Sequence, residues 1–363
     1  MGKKIIIAGG GTGGHIFPAI AIANALKLND PSIEILFVGA KNKMEMEKVP
    51  LAGYRIIGIT IAGLNRSSLL KNSSLPFKLL KSFFEVRNIF KSFLPDAVIG
   101  VGGYSSFPVL RYAQSIKIPS FIHESNSFAG KSNILLGKKA TKIFVAVEGM
   151  ERFFPFNKIL ISGNPVRKSI VDATVSRTEA LSYFGFGPDK ITILAMGGSL
   201  GARSINQAIA DQISTLEKNN LQLIWQTGKS TAADFIKVAE GRSNIWVNEF
   251  ISEMGMAYSA ADLIISRAGA MAVSEITIAS KPAVFVPFPD AAEDHQTHNA
   301  LSLVNHQAAI LVIDSEAGTK LIGEVIKLAK DEKKRHQFSN NCRKLAKKNA
   351  DQVIANEILN SIK

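Results

Sequence analysis

Short apolar runs recur along this chain, each closed by glycine, proline or a polar residue, with longer stretches of helical spacing between them. Lys4–Ala8, Ile33–Val38, Ala97–Val101, Ser120–Ile122 and Lys142–Val145 read as strands. Pro18–Leu28 reads as a helix, with proline suited to a first helical turn. Strand and helix alternating in this way make a parallel sheet covered on both faces. The pattern then restarts. Lys190–Met196 is a strand, Gly197-Gly-Ser-Leu-Gly201 a loop, and a helix follows from about Arg203. Leu221–Gln226, Asn244–Val247, Asp262–Ser266 and Pro282–Val286 continue it as strands, and from Thr319 the spacing is helical to the end. The fold class is therefore α/β, with two doubly wound halves that each open on strand, glycine loop and helix. Ser162-Gly-Asn-Pro-Val-Arg167, punctuated by glycine and proline, is the expected hinge. The domains are expected at 1–163 and 164–348, with a helix near 349–363 after them.

Length and composition agree with two domains. The chain has 363 residues, 46% hydrophobic and 20% charged, which is a globular composition. Its one cysteine, Cys342, excludes an internal disulfide and a thiolate metal cluster, and suits a reducing compartment. After Met1-Gly-Lys-Lys only Ile5 to Ala8 is apolar before the glycines begin, too short for a signal segment. No run of bilayer-spanning length follows, so a cytoplasmic chain that does not cross a membrane is expected. The net charge of +13 is unevenly placed. Residues 1–163 hold 21 Lys and Arg against 9 Asp and Glu, while 164–363 hold 22 against 21. The first half is thus expected to meet something anionic.

Gly9-Gly-Gly-Thr-Gly-Gly14 satisfies the dinucleotide pattern G-x-G-x-x-G, in which glycines let backbone approach a ligand at a helix N-terminus. A nicotinamide site also needs an acid at the end of the second strand, and here that strand ends in Gly39-Ala40. Gly130-Lys-Ser132 and Gly228-Lys-Ser230 lack the leading glycine of a phosphate-binding P-loop. His15, at the mouth of the first helix, is either a general base or a polar residue that shapes the loop. Asp290, Glu293, Asp294, His295 and His298 lie close together but match no zinc motif, and read as a polar loop and helix start; no metal is expected.

Taken in order, the motifs are far more specific. Gly9-Gly-Gly-Thr-Gly-Gly-His-Ile-Phe-Pro18, Gly102-Gly-Tyr-Ser105, His123-Glu-Ser-Asn126, Gly163-Asn-Pro-Val-Arg167, Gly197-Gly-Ser199, Arg267-Ala-Gly-Ala270 and Asp294-His-Gln296 resemble the MurG family. These are the N-acetylglucosaminyltransferases of bacterial peptidoglycan synthesis. The resemblance implies a GT-B fold, two Rossmann-like domains facing across a cleft, with the last helix returning to the first domain. It implies inverting transfer of N-acetylglucosamine from UDP-N-acetylglucosamine to the 4-hydroxyl of undecaprenyl-pyrophosphoryl-N-acetylmuramyl-pentapeptide (lipid I), giving lipid II and UDP without a cofactor. For the donor it implies Thr12, Gly13, Gly14, Asn126, Arg167, Ser199, Ile251, Ala270, Met271, Ala272, Val273, Ser274, Glu275 and Gln296. Glu275 would accept from the ribose hydroxyls, Ile251 would present backbone to uracil, and Arg167 would offset phosphate charge. Read apart from the family, Glu275 is a solvated helix residue and Ile251 a core residue. Thr297 stands where many members carry a second glutamine that contacts the sugar.

The acceptor hydroxyl must lose a proton, and His15 is the first candidate base, with Glu124 and His123 as alternatives. Tyr104 and His123 are expected on the acceptor side. Residues 64–95 hold six basic residues and one acid, Glu85, interleaved with leucine and phenylalanine. Lys78, Lys81, Phe83, Phe84 and Phe90 are expected to form a basic amphipathic helix resting on an anionic membrane, at the cytoplasmic face of the inner membrane. Charge interleaved with Phe and Leu suits lipid better than nucleic acid. The family also implies association with a cell-wall or division complex.

Overall fold

The computed structural model describes residues 2–61, 75–172, 174–198, 200–230 and 232–362, and at 75 and 76 the backbone alone. It divides into two compact units, Met1–Val166 with Asn349–Lys363, and Arg167–Lys348.

In the first unit β1 (Lys4–Ala8), β2 (Glu34–Ala40), β3 (Arg55–Ile59), β4 (Ala97–Gly100), β5 (Ser120–Glu124), β6 (Lys142–Val145) and β7 (Ile159–Ile161) form one parallel sheet. Its order is β3-β2-β1-β4-β5-β6-β7. Successive strand residues point to opposite faces, and both faces are covered. Ile5 and Ile7 join one core with Ile16, Ile22 and Leu26 of the helix Gly13–Asn29. Ile6 and Ala8 join the other, with Val86, Val109 and Leu110. The strand order reverses between β1 and β4, so the loops that leave their C-terminal ends flank a crevice, the usual ligand position in such sheets.

In the second unit β8 (Thr192–Met196), β9 (Gln222–Gln226), β10 (Ile245–Asn248), β11 (Leu263–Ser266), β12 (Ala283–Phe285) and β13 (Ala309–Leu311) form a parallel sheet of order β10-β9-β8-β11-β12-β13. The reversal here lies between β8 and β11. Trp225, fully buried on β9, donates through Nε1 to Asn206 Oδ1 at 2.9 Å, which anchors the helix Arg203–Asp211 to the sheet.

Three strands were not evident from the apolar pattern: β3, β7 and β13. Each is a sheet edge with one neighbour. Arg55 and Gly58 interrupt the apolar pattern of β3, and β7 and β13 are only three residues each. The first helix also begins earlier than proline suggested. It starts at Gly13, and Pro18 lies inside it. The helical tail is broken at Asp331 and again at 346–349, giving the separate helices Ile322–Lys330, Glu332–Leu345 and Ala350–Ser361.

Ala350–Ser361 packs on Gly13–Asn29 within the first unit, burying Ile354, Ala355 and Ile358. Asn29 Nδ2 donates to Asn356 Oδ1 at 2.9 Å at the edge of that contact. Truncating Ile358 to alanine leaves a cavity under the helix that carries the glycine loop. We expect a loss of about 2–5 kcal/mol from the first unit's stability, read as a lower urea midpoint with unchanged m-value.

Candidate active site

The glycine loop leaves β1 at the crevice between β1 and β4. Gly10 has φ +149° and Gly11 φ +88°, backbone states that L side chains rarely adopt. Gly10 N–H donates to the Gly102 carbonyl at 3.2 Å, and Ser106 Oγ donates to the Ala8 and Gly102 carbonyls at 2.8 and 2.9 Å. The two loops are thereby tied to each other. Beneath them lies Glu45, 1% exposed. Its carboxylate accepts Gly11 N–H at 2.8 Å and Ala40 N–H at 2.9 Å. A Cβ at Gly10 would land on that carboxyl group. His15 is half-buried in the first helical turn, with Nδ1 at 3.1 Å from the Gly10 carbonyl. A Cβ at Gly102 would stand 2.6 Å from its Nε2. Thr12, with its hydroxyl 3.5 Å from His15 Nδ1, is exposed, as is Tyr104 on the loop after β4, and Gly13 and Gly14 are half-buried.

The loop after β5 is organised by Glu124. One oxygen accepts Asn126 N–H at 3.1 Å and Asn126 Nδ2 at 3.2 Å; the other accepts Gly130 N–H at 3.1 Å and Asn133 Nδ2 at 2.8 Å. Four donors occupy a carboxylate with room for about four. Glu124 therefore holds Asn126 in place. His123 needs correction. It is 0% exposed, so its ring is out of reach of a ligand at the surface. Burial pushes its imidazole down to about 4, and the neighbouring His15 adds to the effect, against the Gly163 backbone and the Asn164 side chain. A neutral His123 thus backs the site from inside.

In the second unit Glu275 is buried five residues into the helix Ala270–Ile278. Arg167 donates to it through Nε at 3.0 Å and through one terminal nitrogen at 2.8 and 3.0 Å, and Tyr258 donates its hydroxyl at 3.1 Å. Burial raises the Glu275 pKa, against the charge and hydrogen bonds of Arg167 and the bond from Tyr258. Burial and the Glu275 charge hold the Tyr258 phenol well above its ordinary value. Ala270, Met271, Ala272 and Ser274 are half-buried near the helix start, where first-turn N–H groups lack intrahelical partners, while Val273 faces inward. Ile251 is buried, as a packing side chain should be. Gln296 accepts Phe288 N–H through its side-chain oxygen at 3.0 Å. Thr297 turns its hydroxyl to Asp294 Oδ1 at 2.7 Å. Ser199 lies outside the described residues.

On the helix Leu75–Phe93, Phe77, Leu80 and Phe84 are exposed beside Lys81, Arg87 and Lys91. Lys78 and Phe83 are half-buried. Phe90 does not belong to the outer face: it is 4% exposed and meets Tyr112 edge-on at 5.0 Å. Glu85 sets the helix's rotation, since it accepts from Thr60 N–H and Oγ1 at 2.5 and 2.9 Å and pairs with Lys41 at 2.8 Å. Arg66 and Lys71, also counted with this basic stretch, lie outside the described residues. Among the described residues no helix is long and apolar enough to cross a membrane.

Sequence reasoning missed Glu45, Tyr258 and Asn133. The signal for Glu45 was the absent ribose acid after β2. The space beside Gly39 is taken by this later carboxylate, turned upon the protein's own loop.

Two family descriptions cover most of the chain: the N-terminal domain of glycosyltransferase family 28 matches residues 5–145 and the C-terminal domain matches 192–358. A protein of Parabacteroides distasonis, called UDP-N-acetylglucosamine–N-acetylmuramyl-(pentapeptide) pyrophosphoryl-undecaprenol N-acetylglucosamine transferase, is 48% identical over 99% of this chain and 98% of its own. One of the same description from Flavobacterium psychrophilum is 49% identical over 98% and 97%. The crystal structure of Acinetobacter baumannii MurG matches with a TM-score of 0.80 at 30% identity over 99% of each chain. The glycosyltransferase of kitacinnamycin, at 13% identity and a TM-score of 0.77 over 100% of each chain, shares the fold.

The buried His123 has a consequence for stability. Its folded pKa lies below the unfolded 6.5, so the unfolded chain binds the proton first as pH falls. Stability is therefore intact above pH 6.5 and drains away between 6.5 and about 4, by about 3 kcal/mol. Urea unfolding at pH 7 and pH 4.5 should show this loss in the wild type and a smaller one in His123→Gln; equal losses would contradict it.

Proposed function

The chain belongs to glycosyltransferase family 28, and from that premise we propose that it transfers N-acetylglucosamine from UDP-N-acetylglucosamine to the 4-hydroxyl of lipid I, giving lipid II and UDP. The observation that carries this reading is the full-length likeness to transferases described by that donor and acceptor.

The reaction is a single displacement with inversion. The acceptor oxygen bonds to the anomeric carbon as the bond to the diphosphate breaks; the electron pair leaves with UDP and the hydroxyl proton goes to a base. His15 is that base in this reading: it sits at a crevice between strand ends, and an imidazole exchanges protons near neutral pH. Tyr104 and the glycine loop, Thr12 to Gly14, flank it on the acceptor side, and Glu124 presents Asn126.

On the second unit, the first-turn N–H groups of Ala270–Ile278 suit a diphosphate. Ser199, Ile251 and Gln296 complete the donor set carried over from the family. Glu275 takes the ribose hydroxyls. Its carboxylate already receives three contacts from Arg167 and one from Tyr258, which fills it. Ribose binding therefore displaces Arg167 contacts, and the released guanidinium turns to the leaving phosphate. Specific binding is coupled in this way to stabilisation of the departing charge.

Phe77, Leu80 and Phe84, with Lys81, Arg87 and Lys91, rest on an anionic bilayer surface as a peripheral contact at its cytoplasmic side. That places the helix where a polyprenyl-anchored acceptor is found.

Incubation with radiolabelled UDP-N-acetylglucosamine and lipid I in detergent should yield labelled lipid II. A folded protein that yields none overturns the reading, and a product only with another acceptor moves it elsewhere in the family. His15→Ala should lower kcat about 10²- to 10⁴-fold with the donor KM little changed.

A further inference from the structure

One peptide of the glycine loop stands between two titratable side chains. The Gly10–Gly11 peptide donates its N–H, carried by Gly11, to Glu45 Oε2 at 2.8 Å. Its carbonyl, carried by Gly10, faces His15 Nδ1 at 3.1 Å. A carbonyl oxygen accepts and cannot donate, so this contact puts the proton of a neutral imidazole on Nδ1. Thr12 Oγ1, at 3.5 Å from the same nitrogen, is compatible because a hydroxyl can accept as well. Nε2 is then the unprotonated nitrogen. It lies against Gly102, where a Cβ would stand 2.6 Å from it.

Glu45 is a charged side chain 1% exposed, at the start of the helix Glu45–Leu51. Its other oxygen accepts Ala40 N–H at 2.9 Å, which pins the carboxylate to the end of β2. The loop is shaped around it: Gly10 lies so close to the carboxyl group that any Cβ would collide with it. A carboxylate drawing on a peptide N–H polarises that peptide, and its carbonyl becomes a stronger acceptor. In hydrolytic triads an aspartate grips the imidazole N–H directly and sets its tautomer. Here a peptide group is interposed between carboxylate and ring.

We propose that Glu45 is a positioning residue for the transfer reaction, acting through the Gly10–Gly11 peptide to hold His15 as the Nδ1–H tautomer with Nε2 ready to take the acceptor's proton. The inference rests on His15 being the base. The experiment separates the two.

Nitrogen NMR of the full chain labelled at histidine, with His15 assigned by a His15→Gln variant, reads the tautomer without turnover. The wild type should show neutral His15 protonated on Nδ1, and Glu45→Gln should move population toward Nε2–H. A wild-type ring protonated on Nε2 overturns the proposal, and this measurement stands even if Glu45→Gln does not fold. In the transfer assay, Glu45→Gln should lower kcat about 10- to 100-fold, with the donor KM within about twofold. In a His15→Ala background the same change should cost nothing more in kcat. An equal loss in both backgrounds means that Glu45 acts elsewhere, which overturns it. If His15→Ala alone keeps full kcat, the base reading falls and takes the catalytic part of this proposal with it, while the tautomer result still decides what Glu45 holds.

Discussion

A carboxylate taken out of water must be met by donors, because an unpaired charge in a protein interior is too costly to keep. This chain buries three at positions that matter: Glu45, Glu124 and Glu275. Two are satisfied by backbone N–H groups and asparagine amides, and the third by an arginine and a phenol. Each demand is met by drawing a specific loop or helix end toward the carboxylate. The loops at the strand ends are flexible by composition, rich in glycine and short polar residues. In the first unit Glu45 and Glu124 fix the shapes of two of them.

The consequence runs from packing to chemistry. Glu45 grips the first glycine loop from below and Glu124 closes the turn after β5 around Asn126. Glu275 gathers Arg167 and Tyr258 in the second unit. The sheets supply rigid edges, and the strand-order reversals between β1 and β4 and between β8 and β11 open a crevice at each. Glu45 holds the loop after β1 at the first of these crevices, and Glu124 holds the neighbouring loop after β5. Such preorganisation lowers the reorganisation needed as charge moves from sugar to diphosphate.

Much of this was legible in the sequence, for identifiable reasons. Central strands such as β1, β5 and β8 are covered on both faces, so their apolar runs are uninterrupted. Of the strands that did not stand out, β3 is interrupted by Arg55 and Gly58, and β7 and β13 are three residues each. The glycine loops were visible because L side chains rarely adopt the backbone found at Gly10 and Gly11. Glu45 was not visible: its role depends on a fold that brings residue 45 beneath residue 11. His123 and Phe90 were misplaced for a related cause, since residue type alone does not say which face of a strand or helix turns inward. On the helix Leu75–Phe93, Phe84 and Phe90 have the same chemistry, and only packing against Tyr112 separates them.

The central claim is that these buried acids are present for the substrates as well as the fold, and Glu275 offers the cleanest test. Calorimetric titration of UDP-N-acetylglucosamine into the wild type and into Glu275→Gln compares a charged acceptor with a neutral one of the same shape. Losing charge-assisted hydrogen bonds of about 1.5–3 kcal/mol should weaken donor binding about 10- to 100-fold. An unchanged Kd in a folded variant would mean that Glu275 serves the fold alone, and would contradict the account.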